Sequence, residues 1–257
     1  MRGTTPVCAN MTNERVTAVR QTLLAAYRET GLWGVTQPDW PLPETLKRGE
    51  DAHLAWLTLV YTVSGGRDPA QLWPAARTAY VARPDLFDPQ VLAYARPDTL
   101  IEPLRAYRLA QKVKSEATVW QRIGQALVMR AAGSVSQLLA GYDFSAPALW
   151  QMLQSNKVTF PVLSGPQTGP RWLYGLAATG GQPLTGAARL PVPPSPPGKK
   201  ALAALQISGK QVSAEIFAPL DLLGRRGCAQ RKPGQTSCPA AGACPVAGFC
   251  RYGRSSS

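Results

Sequence analysis

GRRGCAQRKPGQTSCPAAGACPVAGFCRY, residues 224–252, governs the reading of the whole chain, because it holds four of the five cysteines. Cys228, Cys238, Cys244 and Cys250 follow the spacing C-x9-C-x5-C-x5-C. Structural zinc usually takes its tetrahedron from two C-x2-4-C knuckles, which this run lacks, so zinc ranks second. A compact loop closed by Pro239, Pro245 and small residues could instead bring four thiolates to a cubane 4Fe–4S cluster, whose ligands are four cysteines. Free thiols are the plainest alternative, but four so close together would be an oxidation liability with no return. Cys8 stands alone near the other end.

Outward from that loop, 257 residues suffice for one large domain or two small ones with a real core. A hydrophobic content of 45% rules out disorder, and five cysteines in this length rule out a disulfide-stapled miniprotein. The 28 Lys and Arg outnumber 15 Asp and Glu, and the resulting +13 asks for a polyanionic partner. The longest apolar stretch, Leu54 to Val63, is roughly half of a bilayer span, so no membrane is expected. MRGTTPVCANMTNER contains no apolar leader region, which makes a reducing cytoplasm the expected compartment. A single histidine, His53, removes Ser-His-Asp, Cys-His and His-ligated zinc chemistry together. Inside DAHLAWLTLVYTV it reads as a hydrogen-bonded core histidine.

The remaining pattern is helical. Val16, Val19, Leu23, Leu24 and Tyr27 share one face of a helix that Asn13 would cap. Residues 51–63 are apolar on nearly every side and predict a buried central helix. Further helices are expected over Pro69–Val81, Pro89–Tyr94, Asp98–Arg105 and Leu109–Met129, separated by Gly and Pro breaks. No stretch alternates as a half-buried strand should. The chain is therefore read as all-α. A Pro-rich linker, LPVPPSPPGKK (190–200), separates a long middle from a C-terminal helix and the cysteine loop.

The 224–252 segment resembles the C-terminal iron–sulfur signature of the endonuclease III/MutY branch of helix-hairpin-helix (HhH-GPD) DNA glycosylases. Gly224-Arg225, Arg231-Lys232-Pro233 and Cys244-Pro245 stand where that family has similar groups. The first two cysteine intervals are each three residues longer than the family's x6 and x2. Upstream, LAYARPDTLIEPLRAYRLAQKVKSEA (92–117) is similar to the family's turn into a long basic helix, with Arg105 in place of glycine. FPVLSGPQTGPRWLYGLA (160–177) resembles the hairpin, usually L-P-G-V-G-x-x-T-A. The resemblance implies a two-lobed fold: residues 1–50 packing with the cluster lobe, a helical barrel over 51–189, and 190–257 carrying the cluster loop.

In that reading Gly165 and Gly169 are the hairpin glycines. A glycine turn opening a helix offers bare N–H groups at the positive end of the helix dipole, a place for a phosphate oxygen. Gly165, Gln167, Gly169, Arg171, Arg67, Lys199 and Lys200 are the expected DNA contacts, and Arg105, Arg108, Lys112 and Lys114 form a basic run. Trp120, Trp150 and Trp172 are candidate stacking platforms for an extruded base.

Catalysis is where the pattern breaks. The family's catalytic aspartate falls on Ser195, and the lysine of its bifunctional members falls on Arg171, which stays protonated and cannot form an imine. Asp143 and Asp221 remain as carboxylate candidates, although Asp143 also reads as a cap for a helix starting near Ala146 and Asp221 as a helix residue. The family's serine-x-glutamine reading segment is here Val63 to Asp68, with Arg67 free to enter a groove and Asp68 placed as a cap. The expectation is a monomeric base excision repair protein that binds double-stranded DNA and associates with the nucleoid. It would use no nucleotide cofactor and would nominally be a monofunctional glycosylase without lyase activity. The alternative is a non-catalytic iron–sulfur DNA-binding relative.

Overall fold

The computed structural model describes residues 7–33 and 42–253, and the side chains from residue 14 onward. Cys8 and the cap expected of Asn13 therefore lie outside the described residues. Helix makes up 62% and strand 3%, so the chain is all-α. It divides into two compact units, Met1–Gln37 with Pro191–Ser257, and Pro38–Leu190. Among the described residues no helix is long and apolar enough to cross a membrane.

The first helix, α1 (Val7–Ala25), belongs to the discontinuous unit. The continuous unit holds α2 (Asp51–Thr62), α3 (Pro69–Ala82), α4 (Pro89–Tyr94), α5 (Pro97–Ala106), α6 (Val113–Ala131), α7 (Val135–Ala140), α8 (Ala146–Ser155) and α9 (Thr168–Ala178). Central α2 is buried from His53 through Val60, as its all-round apolarity predicts. Asp68 and Asp88 cap α3 and α4 by accepting the Ala70 and Gln90 N–H groups, and a proline follows each as the first helical residue. Helix α6 starts at Val113 rather than at Leu109: the buried Leu109 gives its N–H to Leu104 O at 2.9 Å, closing the end of α5 instead. The Glu116 carboxylate then reaches back to the Lys112 N–H at 2.6 Å. Helices α4 and α6 cross at Gly124, where a Cβ would lie 2.7 Å from that of Leu92.

In the other unit Val19 and Leu23 of α1, with Tyr27 in the wide helical turn that follows it (Ala26–Thr30), pack with residues of α10 (Pro196–Ala204) and α11 (Ala214–Leu222). Two corrections to the sequence reading fall here. Pro191–Val192 (β1) and Val212–Ser213 (β2) pair antiparallel, with Pro191 opposite Ser213, so strand is present. Two residues are too few for alternation to register. The Pro-rich stretch does begin where one unit gives way to the other, between Leu190 and Pro191, but it is more than a connector: Val192 is fully buried and Pro196-Pro197 start α10, where their missing N–H groups cost nothing. Glu215, nearly buried, accepts from Arg20 and lies 3.7 Å from Arg28, tying α11 to α1.

Candidate functional site

The four cysteines come together in the discontinuous unit. After α11 the chain makes a wide helical turn over Leu223–Gly227 and delivers Cys228 from its end. The remaining three are placed by a six-residue repeat that the sequence reading missed, although CPAAGA (238–243) and CPVAGF (244–249) show it plainly. Each copy makes the same backbone turn. Ala241 N–H donates to Cys238 O at 3.0 Å and Ala247 N–H to Cys244 O at 3.1 Å; Cys244 N–H then bonds Ala241 O at 3.2 Å and Cys250 N–H bonds Ala247 O at 3.0 Å. The middle residues Ala240 and Val246 are buried as equivalents.

Cys228, Cys238, Cys244 and Cys250 line one pocket, and every other lining residue is Ala, Gly, Val or Leu. Burial pushes the Cys228 thiol up to about 12, and the neighbouring Cys250, Cys244 and Cys238 add to the rise while Arg231 opposes it. Cys244 is also raised, by burial first and despite a hydrogen bond from Val246 N–H. At Cys228 and Cys244, where burial and the neighbouring cysteines both disfavour ionisation, a cation beside the sulfur would favour the thiolate. No three His, Cys, Asp or Glu side chains among the described residues gather closely enough for one metal ion. A tetrahedral zinc would hold its sulfurs ~3.8 Å apart, from a Zn–S bond of ~2.3 Å. A cubane binds each cysteine to a different iron, so its ligands stand further apart.

Ser195 and Asp221 meet at the start of α10. The Ser195 Oγ accepts the Gly198 N–H at 3.0 Å as the helix cap and donates to Asp221 Oδ1. Asp221 Oδ2 in turn accepts from Arg225 Nε at 2.6 Å. The aspartate is a residue of α11, as expected. Gly224, in the turn after it, sits so close to Pro197 that a Cβ would lie 2.0 Å from that carbonyl oxygen. Lys199 and Lys200 are exposed.

In the continuous unit the hairpin runs from α8 through residues 156–167 to α9. Phe160 and Leu163 are buried, and between them Val162 adopts φ +67°, a left-handed conformation unusual for a β-branched residue. The expected hairpin glycines behave differently. Gly165 N–H donates to Val162 O at 2.8 Å and Gly169 N–H to Gly165 O at 3.0 Å, so neither offers a bare donor to a phosphate. Gly169 is a packing residue: a Cβ there would lie 2.2 Å from Leu163 O and 2.4 Å from the Trp150 ring. Gln167 precedes the first residue of α9 and Arg171 lies in its first turn. Tyr61 of α2 packs on Gly175, where a Cβ would be 2.3 Å from its hydroxyl. Burial raises the Tyr61 phenol, Arg171 opposes that rise and Tyr174 adds to it, which puts all three in one neighbourhood.

Other expectations are corrected. Arg67 does not reach outward: its guanidinium donates to the carbonyls of Leu109 and, at 2.6 Å, of Arg108, fastening the Gly65–Gly66 loop to the end of α5. Trp120 and Trp172 are fully buried, the latter bonding Thr58 Oγ1 at 2.9 Å, so neither is a stacking platform. Asp143 is exposed with φ +51°, and Ser145 caps α8 in its stead by accepting the Ala148 N–H. No family model matches this chain, and no curated protein does.

Proposed function

We propose that this chain is a duplex-DNA-binding protein of base excision repair, of the two-lobed HhH-GPD kind that its cysteine loop resembles. The observation that carries the reading is the single apolar pocket lined by Cys228, Cys238, Cys244 and Cys250. The donor set fits a 4Fe–4S cluster: four thiols and no competing carboxylate in the lining. Bound there, a cluster would offset part of the charge of the four thiolates and cross-link them, fixing the loop. The chain's own residues do the rest. The hairpin places Gln167 and Arg171 at the start of α9, where the helix dipole and a guanidinium both favour a phosphate. Lys199 and Lys200 supply salt-dependent attraction.

The start of α10 supports binding without base removal as a second reading. A glycosylase of this kind needs a carboxylate there to stabilise the cationic sugar. Here a neutral hydroxyl holds the position, its proton committed to Asp221, whose charge is already met by Arg225. The test is a screen of purified chain on duplexes with oxidised, deaminated, alkylated and mismatched bases, scoring brown colour, binding and alkali-revealed cleavage together. Alkali-dependent cleavage of one duplex identifies a monofunctional glycosylase. Salt-sensitive binding without cleavage supports the second reading, and a colourless preparation that ignores DNA refutes both.

A further inference from the structure

Tyr252 sits two residues beyond the last cysteine and touches the thiol pocket with its backbone on two sides. Its N–H points at Cys250 Sγ, 3.4 Å away, and its carbonyl accepts the Cys238 N–H at 2.9 Å. Its ring carries two cations: the Arg231 guanidinium lies 3.9 Å from the ring centroid and that of Arg251 4.5 Å. Arg231 is further held by its own bond to Gln235 O at 3.1 Å, and the Arg251 N–H bonds Ala204 O at 3.1 Å. Neither guanidinium pairs with a carboxylate among the described residues. From residue 222 to residue 257 the sequence contains no Asp or Glu at all.

We propose that the Arg231–Tyr252–Arg251 stack is a charged clasp that raises the reduction potential of the cluster held by the four thiols; this rests on the cluster reading above. A cluster on four thiolates gains one negative charge when it takes up one electron, and no bond need form or break. Unpaired cations close to the pocket favour the more negative state, by an amount that solvent and salt reduce more for the exposed Arg251 than for the half-buried Arg231. The Tyr252 N–H acts on the Cys250 sulfur in the same direction. Arginine suits the place because its flat guanidinium stacks on an aromatic ring while keeping its charge at every ordinary pH. Tyr252 is thus a positioning residue, and its hydroxyl has no part in the effect.

The full chain, loaded anaerobically with iron and sulfide, is titrated at an electrode and followed by its visible spectrum. The expected result is a more negative midpoint in Arg231→Gln and Arg251→Gln, and a larger shift in the double variant. The Lys variants should return close to the parent, and Tyr252→Phe should match it. Gln variants that keep their spectrum and the parental midpoint would overturn the clasp while leaving the cluster intact. Equal shifts in the Gln and Lys variants would assign the effect to packing and overturn it too. Should a variant fail to hold iron, the parent alone still decides: raising salt should lower its midpoint as the cations are screened, and a midpoint indifferent to salt contradicts the proposal. A parent chain that takes up no iron and sulfide removes the cluster reading itself.

Discussion

Lowering the pH from 7 to 4 should remove about 3 kcal/mol of stability through His53 alone, as its pKa shift converts at ~1.4 kcal/mol per unit. The side chain has no exposed surface. Its Nδ1 accepts the Gly49 N–H at 3.1 Å, so the ring proton resides on Nε2, which has no partner among the described residues. A second proton would have to enter at Nδ1, against the Gly49 N–H, in a buried site and near Arg48. Burial first and Arg48 second therefore lower the pKa to about 4 from an ordinary 6.5. The unfolded chain takes up the proton first as pH falls. The contribution is complete above pH 6.5 and disappears as the pH approaches 4. Urea unfolding of the parent and of His53→Gln across this range isolates it, because carboxylate titration is common to both. The histidine is the only one in the chain, so its imidazole resonance in a proton NMR titration is unambiguous. An imidazole that titrates near 6.5 in the folded protein would refute the buried, singly bonded environment described above.

Gly169→Ala should cost ~1–3 kcal/mol by overpacking against Leu163 O and Trp150, whereas Gly65→Ala, with open space around it, should stay within ~0.5 kcal/mol; thermal melts that rank them otherwise would contradict the hairpin geometry. Arg67→Ala should cost ~1–2 kcal/mol through its lost carbonyl bonds, yet leave the salt dependence of DNA binding unchanged. A lower salt slope would show that Arg67 does touch phosphate. Replacing both Lys199 and Lys200 by Gln should reduce the slope of log K against log salt by ~1–2 with little effect on the melting temperature, and an unchanged slope would exclude them from the interface.

Much of the helical architecture was legible because it depends on local chemistry. Asp68-Pro69 and Asp88-Pro89 announce helix starts through a capping carboxylate and a preset φ, and α2 announces its burial by having no polar face. What escaped was set by partners distant in sequence. Leu109 lies in an apolar and basic run that suits a helix, but a core position ends α5 there and delays α6 to Val113. Pro191 and Val192 give no strand signal because their partner, Val212–Ser213, lies some twenty residues on. Arg67 looks like any solvated cation until the carbonyls of Arg108 and Leu109 arrive beside it.

The candidate sites divide in the same way. Cysteine identity and spacing alone bring Cys228, Cys238, Cys244 and Cys250 forward as a group, and the hexapeptide repeat that orders three of them was open to inspection. The glycines were harder. Glycine at 165 and 169 suggests backbone offered to a ligand, yet the same residue serves equally where a neighbour needs the space, and Gly169 is of that second kind. Val162 carries the left-handed turn in a residue type that hides it. Ser195 shows most clearly why residue identity and function separate: a cap needs only a small oxygen, which serine and aspartate both offer, but only the serine hydroxyl can also donate to Asp221, and the two differ by a full charge for chemistry. Asp221 stands one hydrogen bond away, but Arg225 holds its other oxygen, so its charge is spent within the fold. On the proposed reading, base removal as against binding alone turns on that charge, and Ser195→Asp combined with Asp221→Asn, which spares the new carboxylate a like-charged neighbour, tests it: cleavage gained by the variant on a duplex the parent binds intact would show that the helix start lacks only the carboxylate.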